Sequence, residues 1–153
     1  MKKVLIVPGV LVVILTIIYF VRPAKQTELA IERTPTVNEF PNMMLTLSDG
    51  ARQNAKSLEG KSILILYFPD CDHCQREALE ISNRLKAFEN YDLWFLTTDP
   101  FSKMDKFATD YKLSNQPNVF FAQITFEDVA AQFGGVATPS VYIYSESKKL
   151  KKA

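Results

Sequence analysis

The stretch that decides the fold is ILILYFPDCDHC, residues 63–74. Its first six residues are apolar, and the prolyl turn after them favours a buried strand over residues 62–68. Beyond it, apolar residues recur at helical spacing, which predicts a helix over residues 72–90. Cys71 and Cys74, the only two cysteines of the chain, therefore lie where a strand meets a helix.

The position of this cysteine pair indicates redox chemistry. Unpaired backbone N–H groups and the helix dipole favour a thiolate at Cys71, at the helix N-terminus. Cys74 follows about one turn later, close enough to form a disulfide with Cys71. We interpret Cys71 as the attacking thiolate and Cys74 as the resolving thiol that breaks a mixed disulfide.

The composition argues against other roles for the two cysteines. A structural zinc site needs four ligands, and the chain has a single histidine, His73, inside the motif. Haem attachment needs a histidine directly after the second cysteine, where this chain has Gln75. An inert disulfide is the remaining alternative, but so short a loop removes little entropy from the unfolded chain. We therefore expect no metal and no cofactor.

The N-terminus predicts a membrane anchor. Residues Val4 to Val21 carry no charge and would span roughly 27 Å as a helix, close to the thickness of a bilayer core. Lys2 and Lys3 precede this run, which favours a cytoplasmic N-terminus. The alternative is a cleaved signal peptide, although no A-x-A-like site follows Val21. In both cases the rest of the chain faces an oxidising, extracytoplasmic compartment, which is the periplasm in a Gram-negative cell.

Composition divides the chain into three parts. Residues 1–21 form the predicted signal anchor, the polar residues 22–39 a linker, and residues 40–153 a globular domain. The net charge of +1 gives no sign of nucleic-acid binding. Lysines at positions 148, 149, 151 and 152 are interpreted as a solvated edge or tail, with contact to a membrane surface as the alternative.

The globular part alternates between strand and helix patterns. Met43 and Met44 begin a strand of the predicted core, which turns at residues 48–50 and returns as a hairpin. Further strands are predicted at residues 93–97, 119–124 and 140–145, and helices from residue 101 to 111 and over 126–133 with Thr125 as the N-cap. This order implies an α/β fold with a sheet of mixed direction.

With these elements and motifs the chain resembles a thioredoxin-fold redoxin of the TlpA-like branch, an AhpC/TSA-related group of membrane-anchored thiol–disulfide oxidoreductases. The likeness runs from about Phe40 to Tyr144. It rests on the hairpin, on the C-x-x-C after a strand, on Glu77 three residues past Cys74, and on Thr138-Pro139 ahead of the last strand. The resemblance implies a thioredoxin-like fold, in which that proline is cis and packs against the dithiol. It also implies that Thr138 and Pro139 shape the substrate groove.

The chain departs from the family pattern at several positions. Asp70 replaces the usual aromatic residue before the first cysteine, Ile65 the buried aspartate of thioredoxins proper, and Leu79 a proline. The family fold also continues with an edge strand and a closing helix. Residues 148–152 can begin that strand, and no sequence for the helix follows, so we expect a truncated C-terminal end.

Two further residues are candidates for catalytic roles. A protonated His73 would stabilise the Cys71 thiolate and make the disulfide more oxidising, whereas Asp70 and Asp72 would oppose it. Glu77 lies nearly one turn after Cys74 and would accept or relay the proton of that thiol. The alternatives are an exposed histidine of little effect and an ordinary solvated glutamate.

Together these observations predict an enzyme, an extracytoplasmic thiol–disulfide oxidoreductase that reduces protein disulfides. The resemblance implies protein or small thiol and disulfide substrates, and a membrane electron donor. The alternative is a redox-inactive adaptor that binds partners through its sheet edge and groove. Peroxidase activity is not expected, because the P-x-x-x-T/S-x-x-C signature is absent: residue 64 is Leu and residue 68 is Phe.

Overall fold

The computed structural model describes residues 38–135 and 137–153. Its strands are β1 (Met44–Thr46), β2 (Arg52–Asn54), β3 (Ser62–Leu66), β4 (Asp92–Thr97), β5 (Val119–Gln123), β6 (Ser140–Tyr144) and β7 (Leu150–Lys152). Its α-helices are α1 (Asp72–Asn83), α2 (Phe101–Asp110) and α3 (Phe126–Phe133). Two short 3-10 helices, Ala55–Ser57 and Leu85–Phe88, complete this part of the chain.

The strands form one mixed sheet in the order β2-β1-β5-β4-β3-β6-β7. The three central strands β5, β4 and β3 are parallel, and the strands on both sides pair antiparallel. Every residue of β3 is buried, because central parallel strands are covered on both faces. The predicted α/β sheet of mixed direction is confirmed.

Helices cover the two faces of the sheet unequally. On one face α1 and α2 pack against Ile63, Ile65 and Phe95. Both helices lie on this face because right-handed crossovers join three successive parallel strands. On the other face α3 and the chain before β1 pack against alternate residues of the same strands, among them Leu64 and Trp94. The cysteine pair thus begins the helix that follows the most buried strand.

Helix α3 has the predicted bounds and the predicted cap. The Oγ1 atom of Thr125 accepts a hydrogen bond of 3.0 Å from the backbone N–H of Asp128. The helix ends at Phe133 and is followed by Gly134, whose φ of 73° suits a residue without a Cβ atom. The Asp49-Gly50 hairpin is likewise confirmed, with β1 and β2 paired on either side of the turn.

The prediction of one helix over residues 72–90 is wrong. Helix α1 ends at Asn83, and Arg84, at φ −127°, leaves the helical conformation. The chain continues as a 3-10 helix in which residues three positions apart share a face. This arrangement lets Leu85 and Phe88 both pack against the apolar cluster under α1.

Met44 is not a core residue. Met43 is 2% exposed and Leu45 is fully buried, whereas Met44 is 37% exposed. Successive side chains of a strand point to opposite faces, so the two neighbouring methionines cannot both be buried in an edge hairpin.

The lysine-rich C-terminal stretch forms the predicted edge strand, since β7 pairs with β6. The interpretation of all four lysines as solvated is wrong for Lys148. Its Nζ donates a 2.9 Å hydrogen bond to the carbonyl of Gly60 and lies 4.6 Å from the ring centroid of Phe40. Lys148 thereby joins the turn before β7 to the chain before β3.

The predicted signal anchor at residues 1–21 and all but the end of the predicted linker lie outside the described residues. Within the part of the chain that the structure describes, no helix is both long enough and apolar enough to cross a membrane.

Candidate active site

Cys71 is held at the N-terminus of α1 by backbone hydrogen bonds on both sides. Its N–H donates to the carbonyl of Phe68 at 3.0 Å, and its own carbonyl accepts from the N–H of Gln75 at 3.0 Å. Cys71 is the N-cap residue, but its side chain forms no capping hydrogen bond. The thiol is therefore left to face outward, half-buried, beside the unpaired N–H groups of the first helical turn.

The surroundings of Cys71 favour its thiolate. A hydrogen bond from the Cys74 thiol is the main cause that lowers the pKa of Cys71, followed by the backbone N–H of Cys74. Partial burial acts in the opposite direction, and the backbone N–H of His73 adds to the lowering. Hydrogen bonds to the anion and the helix N-terminus thus act together, as expected for a reactive cysteine.

Cys74 has the opposite environment. It is 2% exposed and packs with Ala78 and Ile81 against the sheet. Burial, and then its hydrogen bond to Cys71, raise the pKa of Cys74 to about 11. Both cysteines are free thiols in this structure. Cys71 is therefore the thiol that ionises more readily, and Cys74 is the thiol that keeps its proton.

The loop before β6 meets the dithiol. The Sγ of Cys71 lies 3.7 Å from the carbonyl oxygen of Thr138, although 67 positions separate the two residues. The Thr138–Pro139 peptide bond is cis, as the resemblance implies. Ser140 Oγ donates to the carbonyl of Ala137, which links the loop to the start of β6. The structure thus brings together Cys71, Cys74 and the Thr138-Pro139 loop.

The His73 ring contacts a neighbouring cation, and its predicted effect on the Cys71 thiolate stays a prediction. It is exposed, and its Nδ1 lies 2.8 Å from a guanidinium nitrogen of Arg76. Because guanidinium can only donate, Nδ1 is the acceptor of this hydrogen bond. The backbone N–H of His73, rather than its ring, acts on Cys71. Arg76, which the sequence did not single out, lies beside the His73 ring.

Asp70 is paired with a cation that sequence reasoning missed. Lys103 Nζ at the start of α2 contacts Asp70 Oδ2, and it lies 3.4 Å from Asp99 Oδ1. The charge of Asp70 next to Cys71 is therefore partly balanced. The spacing of Asp99 and Lys103 is visible in the sequence as a helical i,i+4 pair, but nothing in the sequence links either residue to Asp70.

Glu77 lies on the other side of the site. It is half-buried and lines a groove of about 430 Å³ together with Pro139, Val141 and Lys152. The neighbours that act on the Cys74 thiol are Cys71, the backbone of Phe68 and Thr138. Among the described residues, no group of three or more His, Cys, Asp or Glu side chains is placed to hold a metal ion.

The model of the AhpC/TSA family matches residues 37–153, which is most of the chain. The chain belongs to the AhpC/TSA family. No curated protein matches this AhpC/TSA chain.

Solved structures with the same fold include three from bacteria. A secreted Mycobacterium tuberculosis disulfide oxidoreductase homologous to E. coli DsbE is 21% identical, with a TM-score of 0.58 over 80% of this chain and 84% of that one. A domain of a possible thiol-disulfide isomerase from Cytophaga hutchinsonii is 18% identical, with a TM-score of 0.63 over 74% and 79%. The thioredoxin domain of a Bacteroides vulgatus thiol-disulfide oxidoreductase is 16% identical, with a TM-score of 0.62 over 73% and 82%.

At these identities the structural likeness establishes the fold, which is thioredoxin-like. This AhpC/TSA protein has a redoxin fold, as shown by its central sheet, its three helices and the C-x-x-C at the start of α1. The predicted redoxin fold is confirmed.

Proposed function

We propose that the chain is a membrane-tethered, extracytoplasmic thiol–disulfide oxidoreductase of the TlpA-like type, which reduces protein disulfides. The observation that carries this proposal is the asymmetry of the two thiols. Cys71 is accessible and has a lowered pKa, whereas Cys74 is buried and has a pKa of about 11. A dithiol catalyst needs this difference in pKa, because one thiol must attack the substrate and the other must later resolve the mixed disulfide.

The first step uses the Cys71 thiolate. It attacks one sulfur of the substrate disulfide, so that a bond forms between Cys71 Sγ and that sulfur while the substrate S–S bond breaks. The leaving substrate thiolate takes a proton from water. The carbonyl of Thr138, which lies beside Cys71, is the proposed acceptor of a hydrogen bond from the substrate backbone.

The second step uses Cys74. Its thiol loses its proton, for which Glu77 is the proposed acceptor, and its thiolate attacks Cys71 Sγ. The mixed disulfide breaks and the second substrate thiol leaves. Two electrons have then passed to the substrate, and the chain holds a Cys71–Cys74 disulfide. A dithiol donor in the membrane, oxidised to its own disulfide, would restore the reduced pair.

The tether and the location rest on the sequence. The uncharged run Val4–Val21 behind Lys2 and Lys3 supports an anchor with a cytoplasmic N-terminus. Glu77 and the Thr138-Pro139 pair support the TlpA-like assignment and, by analogy, the reductive direction. An oxidising compartment is also where protein disulfides form and require correction.

The test of the proposal is insulin reduction by the full-length chain with dithiothreitol as the electron source. We expect turnover that Cys71→Ser abolishes, and a trapped mixed disulfide with Cys74→Ser, because the resolving thiol is missing. Absence of turnover by the folded wild-type chain would contradict the proposal. It would favour the alternative function, a redox-inactive adaptor.

The direction of electron flow is tested by the reduction potential of the pair, measured by equilibration with glutathione. A value near about −270 mV, like that of thioredoxin, supports a reductase. A value near about −120 mV, like that of strong oxidants, would reverse the direction.

A further inference from the structure

An apolar cavity of about 300 Å³ opens next to the cysteine pair. It lies between the carboxyl ends of β3 and β4 on one side and helix α3 on the other. Its wall includes Phe68, Thr98, Phe126, Val129, Ala130 and Thr138. None of these side chains carries a charge, so the cavity provides no oppositely charged partner for an ionic ligand.

Two wall residues of this cavity are also direct neighbours of Cys71. The carbonyl of Phe68 accepts the hydrogen bond from the N–H of Cys71, and the carbonyl of Thr138 lies 3.7 Å from its Sγ. The cavity therefore shares two wall residues with the surroundings of Cys71, although neither cysteine lines it. A side chain adjacent to the substrate cysteine is the part of a substrate that we expect to meet this cavity.

Two aromatic side chains of the wall are exposed to solvent. Phe68 is 38% and Phe126 is 67% exposed, and Phe126 is the most exposed large apolar residue of the described chain. Each is costly to leave in water, and both would be covered by an apolar group in the cavity. The volume is at the lower end of the range for ligand pockets, which suits one large side chain rather than an extended ligand.

We propose that this cavity selects protein substrates in which a large apolar residue adjoins the reacting cysteine. The apolar side chain enters between Phe68 and Phe126 while the substrate sulfur meets Cys71 Sγ. This inference rests on the proposed function and adds its substrate preference. An apolar pocket of this kind discriminates by roughly tenfold or more for each fitted group.

The test uses disulfide-linked homodimers of the peptide Gly-Xaa-Cys-Xaa-Gly, with blocked ends and with Xaa either Phe or Ser. The full-length chain is reconstituted in phospholipid nanodiscs and reduced, and single-turnover rate constants are measured for both peptides and for glutathione disulfide. We expect the Phe peptide to react about tenfold faster than the Ser peptide.

The matched variants are Ala130→Glu and Ala131→Glu. Both alanines are exposed neighbours on α3, but only Ala130 lines the cavity. Ala130→Glu is expected to abolish the preference for the Phe peptide. Ala131→Glu is expected to keep that preference and to leave the glutathione disulfide rate unchanged. Phe126→Ser is a second variant, with Leu79→Ser, 50% exposed on α1, as its control. Melting temperatures show that each variant is folded.

Three results would overturn the inference. Equal rates for the two peptides, or a preference that survives both cavity variants, would show that the cavity does not select substrates. Self-association of the wild-type chain that Ala130→Glu abolishes would assign the cavity to a second copy. Failure to reduce any of the three disulfides would refute the proposed function itself, and the inference with it.

Discussion

Cys71 and Cys74 have similar sequence surroundings, but the structure gives them opposite ionisation behaviour. The pKa of Cys71 is lowered mainly by the Cys74 thiol, whereas burial raises the pKa of Cys74 to about 11. Their titrations are linked, so each apparent pKa belongs partly to the pair. Because only the thiolate is alkylated, the pH dependence of alkylation reports this asymmetry directly.

We predict that iodoacetamide modifies Cys71 of the reduced chain at neutral pH and leaves Cys74 unmodified until the pH approaches about 11. The rate at Cys71 falls as the pH drops through its lowered pKa, because the thiolate takes up a proton. Peptide mapping by mass spectrometry identifies the modified residue at each pH and so separates the two rates. Alkylation of both cysteines with the same pH profile would contradict the prediction.

Lys103 is predicted to maintain the ionisation of Cys71 indirectly. With Lys103→Met, the carboxylate of Asp70 loses its cation and disfavours the neighbouring thiolate, so the pKa of Cys71 rises. Asp70→Asn removes that charge and is expected to cancel the effect in the double variant. The Lys103–Asp70 pair is exposed, so added salt weakens the shift. Lys106→Met, whose partner is Asp110, is the control on the same helix and is expected to leave the Cys71 pKa unchanged.

The proton relay through Glu77 stays a prediction. Glu77→Gln should slow release of the mixed disulfide while the first attack by Cys71 stays unchanged, because only the second step needs the Cys74 proton removed. Stopped-flow measurement of the two phases separates the steps. Glu80→Gln is the control, since Glu80 lies one turn along α1 and is paired with Arg84. Equal rates for Glu77→Gln and the wild type in the second phase would exclude the relay.

At the scale of elements, the two ends of a helix were predicted with different success. The N-terminal ends at Asp72, Phe101 and Phe126 follow signals that act within a few residues, namely the C-x-x-C turn, a proline and a threonine cap. The C-terminal end of α1 at Asn83 follows no such signal. There the helical pattern continues, and the chain changes conformation because Leu85 and Phe88 fit the apolar cluster better from a 3-10 turn.

The N-cap of α3 provides a prediction at this scale. Thr125→Ala removes the hydrogen bond to the N–H of Asp128 and should lower the free energy of unfolding by about 1 kcal/mol. Calorimetry should show a melting temperature lower by about 4 °C. Thr109→Ala in α2 is the control: its hydroxyl bonds back to the carbonyl of Asp105 within the helix, so its loss should change little. A similar loss in both variants would refute the capping role.

At the scale of the whole molecule, contacts between distant segments build the site and close the sheet. Thr138 reaches Cys71 across 67 positions, and Lys103 reaches Asp70 across 33. Lys148 makes a comparable contact, since it bonds to Gly60 and to Ser62 and covers the ring of Phe40. Burial lowers the pKa of Lys148, although Asp92 nearby favours the charged form.

We predict that Lys148→Met lowers the free energy of unfolding by about 1 kcal/mol, because it removes the hydrogen bond to Gly60 and the cation–π contact with Phe40. Urea denaturation measures the change. Lys149→Met is the matched control, because the neighbouring lysine is exposed, and we expect no change in its midpoint. Equal stability of the wild type and Lys148→Met would show that the contact contributes nothing.

The sequence by itself determined the order of strands and helices, the strand-to-helix position of the cysteine pair and the family resemblance. These depend on local periodicity, on turn residues and on a short motif, all of which act within a few positions of the chain. The tertiary structure alone decided the contact of the His73 ring with Arg76, the pairing of Asp70 with Lys103, and the contacts of Lys148 with Gly60 and Phe40. It alone placed the apolar cavity beside Cys71, because a cavity exists only where separate segments pack together and leave space between them.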